Sequence, residues 1–332
     1  MSSSSLDSAV YGLFTTHALH LADKHGVLAH LIAHGPSDPA AIAAARGIDQ
    51  ETLERLLIVL AAAGLIRRAA DGAYAPVAEL VPFLDPADPR YLGGFVRHLV
   101  ENTAGQLGRL DAYLVRGKAA VDAGLPSPFE SIYRDEQATA DFLEAMWNLS
   151  FEPSRELAAL AGLEGTGHLV DVGGASGAFA VAALTRYPEL RVTVFDLPQV
   201  APHLARTRDA HGLDGRLEFA PGDFFTDELP AADCVSFGYI LSDWEDEFCV
   251  ELLRKAYRAL PPGGRVLVME RLFDEDGGPL PTAAMNLSMH VETRGRHRTA
   301  AEYAGLLTAA GFTGAATHRS TWDKHLVTGR RS

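Results

Sequence analysis

The sequence predicts an α/β fold: a doubly wound, largely parallel sheet behind an N-terminal helical region. Three observations carry that reading. From His168 onward, short apolar runs alternate with helical stretches, the rhythm of parallel strands joined by crossover helices. Before that point, apolar residues recur at helical spacing, as in Val27, Leu28, Leu31 and Ile32 and again in Leu53, Leu56, Leu57 and Leu60. Between the first strand-like run and its helix stands a glycine-rich turn, Gly173 to Gly177.

Taken in order, the first 85 residues read as three helices and a small hairpin. Asp38 to Gly47 is a short alanine-rich helix, and Gly64 ends the next one in the position that favours glycine. The runs Leu65–Arg68 and Ala73–Ala75 flank Asp71-Gly72, a hairpin turn signal. This is a winged-helix pattern. Its reading helix, Gln50 to Ala63, carries Glu51 and Glu54 but only Arg55, so a structural or dimerisation role is expected rather than DNA binding. Residues 86–160 are again helical, punctuated by Pro86, Pro89, Pro126, Pro128 and Pro153. Phe142, Met146, Trp147 and Leu149 share one helix after Asp135, as core or as a pocket wall. Strands are expected at Leu169–Val172, Arg191–Phe195, Arg216–Phe219, Cys234–Leu241, Arg265–Met269 and His325–Thr328, with helices after most of them. The expected domains are 1–85, 86–160 and 161–332.

Composition narrows the function. The 332 residues carry 29 Lys+Arg against 43 Asp+Glu, a formal charge of −14. Phosphate backbones repel so acidic a chain, which argues against nucleic acid as a partner. Two cysteines, Cys234 and Cys249, exclude a disulfide scaffold and fit a reducing compartment. The longest strongly apolar stretch, Leu56 to Ile66, is far short of the ~20 residues of a membrane span. Met1 to Asp7 shows no basic-then-apolar signal pattern. A soluble, cytoplasmic protein without membrane contact is expected. His17 with His20, and His30 with His34, have helix-face spacing but no third ligand nearby, so no metal is expected.

The chemistry concentrates at strand ends. In Leu169-Val-Asp-Val-Gly-Gly-Ala-Ser-Gly177, glycines let backbone approach a ligand and the following helix N-terminus favours negative charge. The spacing is neither that of a dinucleotide fingerprint nor that of a P-loop, so a nucleotide-like ligand is implied without a pyrophosphate. Asp196 ends the next strand, where an acid can accept from ribose hydroxyls. Gly222-Asp223-Phe224-Phe225 follows the third, an acid beside an aromatic that suits the edge and face of adenine. Ligands of open α/β sheets bind at such ends.

With these residues in place, the chain is identified as a member of the S-adenosylmethionine-dependent methyltransferases. More narrowly, it resembles the small-molecule O-methyltransferases of the plant caffeate type and the bacterial enzymes that tailor antibiotics and pigments. The resemblance runs over nearly the whole chain: DVGGASG (171–177), with Ala175 where a third glycine is usual, FDLPQV (195–200), GDFF (222–225), LPPGGRVLVMER (260–271), GRHRTAAEY (295–303), and LADKHGVLAHL (21–31) with LERLLIVLAAAGLI (53–66). It implies a Rossmann-like, seven-stranded methyltransferase sheet, an N-terminal winged-helix dimerisation domain and a homodimer. S-adenosyl-L-methionine is the implied cofactor, with Gly173 and Gly174 at its methionine end, Asp196 and Leu197 at the ribose, and Gly222, Asp223, Phe224 and Trp244 at the adenine. Phe142, Met146 and Met289 are implied for the pocket of a small-molecule acceptor, aromatic or polyketide-like.

One departure bears on mechanism. In caffeate-type relatives a catalytic His precedes Asp-Trp; here the segment is Leu241-Ser242-Asp243-Trp244. A serine hydroxyl is far too weak a base near pH 7 without an activating partner. Three readings follow. The base has moved to His290 or His297, with Glu270 retained at the end of the fifth strand. Or no base is needed, because alignment of donor and acceptor alone suffices for an ionised oxygen, a nitrogen or an activated carbon. Or the protein, like some relatives, uses the cofactor in a hydroxylase-like or pericyclic reaction without methyl transfer.

Overall fold

The computed structural model describes residues 4–125 and 133–332, so Pro126 and Pro128 lie outside the described residues. The chain divides into two compact units, Met1–Gly105 and Gln106–Ser332.

In the first unit the helices Ser4–Lys24, Val27–His34, Pro39–Arg46 and Gln50–Ala62 precede a hairpin of β1 (Ile66–Arg68) and β2 (Tyr74–Pro76). Their ends are set locally. Asp38 accepts from the Ala41 N–H at 2.8 Å and Asp49 from the Thr52 N–H at 2.8 Å, each worth about 1 kcal/mol as an N-cap. Asp71 accepts from the Ala73 N–H and Gly72 takes φ 91°, which closes the hairpin where Asp-Gly predicted it. Val27, Leu28, Leu31, Leu53, Leu57 and Leu60, all picked out by helical spacing, form the core of this unit together with Ile42, while Ile32 and Leu56 are only partly buried against it. The exposed Glu51–Arg55 pair on the fourth helix confirms its acidic, solvated outer face. The helix Gly93–His98 and the π-helical turn Leu99–Thr103 complete the unit.

The second unit is built on a seven-stranded sheet: β3 (His168–Val172), β4 (Arg191–Asp196), β5 (Leu217–Pro221), β6 (Cys234–Gly238), β7 (Arg265–Glu270), β10 (Thr313–His318) and β11 (His325–Arg330). Two short strands, β8 (Leu272–Phe273) and β9 (Arg298–Thr299), pair separately. The order is β10-β11-β7-β6-β3-β4-β5, and β3 through β7 are parallel; β11 runs antiparallel to both of its neighbours. The strand order reverses between β3 and β6, and such a switch point opens a crevice at the carboxyl ends of the strands. The strands are largely apolar because both faces are covered: Leu169, Val192 and Cys234 face one core, and Val170, Val235 and Val266 the other. No helix among the described residues is long and apolar enough to cross a membrane.

Two local expectations fail for physical reasons. Pro153 does not end a helix: Glu136–Ala161 runs through it. The proline forfeits one backbone bond, but buried Leu143 and Ala145 before it and Leu157, Ala158 and Ala161 after it hold both halves in place. The run expected to Leu241 stops at Gly238, because Tyr239 adopts φ 57° and turns the chain into a short 3-10 helix, Leu241–Asp243.

Candidate active site

A cavity of about 370 Å³ opens over the carboxyl ends of β3, β4, β5 and β6, walled on one side by the helix Glu136–Ala161. Its floor is the turn after β3. Gly173 takes φ 64°, and a Cβ there would lie 2.3 Å from Ile240 Cδ1. A Cβ on Gly174 would come 2.6 Å from a carboxylate oxygen of Asp171. Ala175 adopts φ 52° without being glycine, a conformation that costs about 1–2 kcal/mol. Its N–H donates to Asp196 Oδ2 at 2.9 Å, which helps to hold that strained residue.

Asp196, at the end of β4, accepts from Ala175 N–H and, through Oδ1, from Leu197 N–H at 2.7 Å. It is 8% exposed and lines the cavity; burial pushes its carboxyl up to about 6. After β5, Gly222 is required by packing, since a Cβ would meet the Phe195 ring at 2.3 Å. Asp223 accepts from Phe225 N–H at 2.9 Å. Phe224, Phe225, Trp244 and Phe248 form an aromatic cluster, with Phe225 perpendicular to Trp244 at 4.7 Å. Gly173, Gly174, Asp196, Leu197, Gly222, Asp223, Phe224 and Trp244 all line this one cavity.

Phe142 and Met146 line it too, with Tyr133 and Trp147, but Met289 does not and is buried elsewhere. The four residues considered for catalysis are not among its lining. Ser242 is 1% exposed and turned away, its N–H donating to Glu270 Oε1 at 3.2 Å. Glu270 is fully buried and also accepts from Ile240 N–H at 3.1 Å, so it clamps the turn after β6 from behind. Burial raises its carboxyl above the ordinary range. His290 is exposed, edge-on to Tyr113 at 5.5 Å. His297 is buried; desolvation and the guanidinium groups of Arg271 and Arg298 push it down to about 3. A histidine so depressed is a poor proton acceptor near pH 7.

The sequence reading passed over several residues that the cavity gathers. Asp243 sits beside Ser242 but faces the cavity. Burial pushes its carboxyl well above the usual range, and the carboxylates of Glu270 and Glu292 push the same way. Its only signal was its place in the Ser-Asp-Trp segment. Asp171 stood within the first motif without a role. Tyr239, Ser154 and Lys324 carried no signal at all, because nothing local marks a residue that tertiary packing brings in.

These residues fit an adenosine-bearing cofactor. Gly173, Gly174 and Gly222 line the cavity with bare backbone, a carboxylate stands at the β4 end, and the buried Ser154 hydroxyl on the cavity wall has no hydrogen-bond partner among the described residues. The family profile described as an O-methyltransferase domain matches residues 115–313. The chain belongs to the O-methyltransferase family. Similar proteins include a 3-hydroxy-5-methyl-1-naphthoate 3-O-methyltransferase of Streptomyces sahachiroi, 36% identical over 90% of this chain and 86% of the relative. Human N-acetylserotonin methyltransferase, solved in complex with SAM, superposes with a TM-score of 0.90 at 29% identity, covering 98% of this chain and 96% of that one. A mitomycin 7-O-methyltransferase superposes with a TM-score of 0.85 at 29% identity, covering 99% and 97%. This O-methyltransferase is an S-adenosylmethionine-dependent enzyme, and its small-molecule acceptor carries an oxygen nucleophile.

Proposed function

We propose that this O-methyltransferase methylates a hydroxyl on an aromatic small molecule, with Asp243 as the proton acceptor. The observation that carries the proposal is the cavity wall: Asp243 faces the cavity, whereas Ser242, Glu270, His290 and His297 do not. Phe142, Met146, Trp147 and Tyr133 offer apolar and aromatic surface for a flat acceptor. The named relatives act on a naphthoate and on acetylserotonin, which supports the same class here.

Asp196 is assigned to the ribose hydroxyls, Gly173 and Gly174 to close backbone contact at the methionine end, and Asp223, Phe224 and Trp244 to the adenine. When bound, S-adenosylmethionine supplies an activated methyl group for in-line attack by the acceptor oxygen. Asp243 takes the proton from that oxygen, and its raised affinity for protons suits it to the task. Glu270 holds the Ile240–Ser242 backbone and so fixes where Asp243 points.

A cytoplasmic homodimer completes the proposal. Leu6, Val10, Leu13 and Phe14 stand 53–66% exposed along the first helix, an apolar stripe that a second copy would cover. The buried free thiols of Cys234 and Cys249 fit a reducing compartment.

The test is turnover with isotopically labelled methyl donor and a panel of hydroxylated aromatics. Asp243→Asn is expected to lower kcat by about 10²–10⁴ and to abolish the rising limb of the pH profile. Unchanged turnover and an unchanged limb in that variant would overturn the assignment.

A further inference from the structure

Lys324 is the one buried lysine among the described residues, 2% exposed. It precedes β11 and lines the cavity. It makes no hydrogen bond or ion pair with any described residue; its close partner is the face of the Tyr239 ring, 3.9 Å from the ammonium. An ammonium held out of water without an ion-pair partner is costly, so its retention at a cavity wall points to a ligand that supplies the missing charge.

Its place in the sheet says which part of the ligand. Asp171 on β3 and Ser236 on β6 are opposite in register, and the Ser236 hydroxyl donates to Asp171 Oδ1 at 2.6 Å. Gly238, two residues on from Ser236, points to the same face. A Cβ on Gly238 would lie 3.2 Å from the Lys324 ammonium, so the missing side chain makes the room the lysine occupies. Continuing the register places Gly238 opposite Gly173, the first glycine of the turn. Ser154, whose hydroxyl is fully buried and unpartnered, lines the same cavity from the long helix. Phe142, on the apolar wall assigned to the acceptor, lies 12 residues earlier on that helix, about 18 Å away along its axis. Around Gly238 the cavity therefore presents a carboxylate and an ammonium, and an unpartnered hydroxyl stands on its helical wall, the complement of an amino-acid zwitterion.

We propose that Lys324 holds the α-carboxylate of the cofactor's methionine moiety, with the Ser154 hydroxyl beside it and Asp171 opposite the α-ammonium. This rests on the cofactor assignment given above. The charged groups around Lys324 are Glu270 from β7, Asp171 from β3, and the neighbouring Arg271 and Asp323, which pair with each other. Desolvation lowers the lysine to about 8, against the pull of Glu270 and Asp171, so the site remains mostly cationic at pH 7.

The experiment is calorimetric binding of S-adenosylhomocysteine and of its decarboxylated analogue, which lacks only the carboxylate. The wild type is expected to prefer S-adenosylhomocysteine by about tenfold or more, the size of a charge-assisted hydrogen bond. Lys324→Met should shrink that preference to within about threefold while leaving the affinity for the decarboxylated analogue unchanged. Equal affinities in the wild type, or a preference that survives in Lys324→Met, would overturn the proposal. Failure of both ligands to bind the wild type would instead remove the cofactor assignment on which it rests. If the variant does not fold, the wild type still decides: its preference should fall as pH rises from 7 to 9, and a preference constant over that range would refute the role.

Discussion

Arg298 offers the sharpest test of how the site is held. It is 1% exposed, and its guanidinium donates to the Leu241 and Trp244 carbonyl oxygens, both at 2.8 Å, and to Asp246 Oδ1 at 2.8 and 2.6 Å. These bonds brace both ends of the turn that presents Asp243 to the cavity. Arg298→Met removes them all. Two buried carbonyls lose a charged donor, at about 1–3 kcal/mol each. The pair with half-exposed Asp246 adds at most about 1 kcal/mol, because solvent screens it. The expected loss is thus about 2–7 kcal/mol, a large share of the 5–15 kcal/mol typical of a folded domain. Urea unfolding followed by tryptophan fluorescence measures it selectively, because all three tryptophans, Trp147, Trp244 and Trp322, lie in the second unit. With a slope of about 3 kcal/mol/M the midpoint should fall by about 1–2 M. Asp246→Asn should cost less than about 1 kcal/mol in the same assay. A loss under 1 kcal/mol in Arg298→Met, or equal losses in the two variants, would refute the reasoning.

Three further outcomes are expected. Burial holds the Asp171 carboxyl at about 6, above its ordinary value, so its protonation favours the folded state. That stabilisation is complete below about pH 4 and is lost as pH rises through 6; relative to Asp171→Asn, the wild type should therefore lose about 2–3 kcal/mol of unfolding free energy between pH 4 and 7.5, and a wild-type/variant difference independent of pH would contradict this. His290→Gln and His297→Gln should leave the pH dependence of kcat/KM intact between pH 6 and 9, since neither ring reaches the cavity; loss of a limb in either variant would restore a histidine base. Leu13→Glu with Phe14→Glu should convert a dimer into monomers in sedimentation velocity while leaving the helical content unchanged; a wild type already monomeric at micromolar concentration would remove the dimer proposal.

The parts of this enzyme legible in its sequence are those whose cause is local. The turn after β3 could be read because glycine is the residue a left-handed backbone and a close approach require. Asp196 and Asp223 could be read because strand ends are where such a sheet meets its ligand. The wing was marked by Asp71-Gly72. What escaped depends on packing at a distance. His297 lies buried within reach of Arg271, which no spacing rule brings beside it. Tyr239 ends β6 early through a backbone conformation rare for its residue type. Pro153 sits in an intact helix because the packing on either side outweighs one lost bond. Lys324 lies 86 residues after Gly238, and only the return of β11 beside β7 carries it back to the switch point.

The measurement that bears most directly on the account is calorimetric titration of S-adenosylmethionine into the wild type and into Asp196→Ala. One equivalent bound per chain, with affinity reduced about tenfold or more in the variant, is the expected result. Equal affinity in the two proteins would contradict the placement of the cofactor at the ends of β3, β4 and β5.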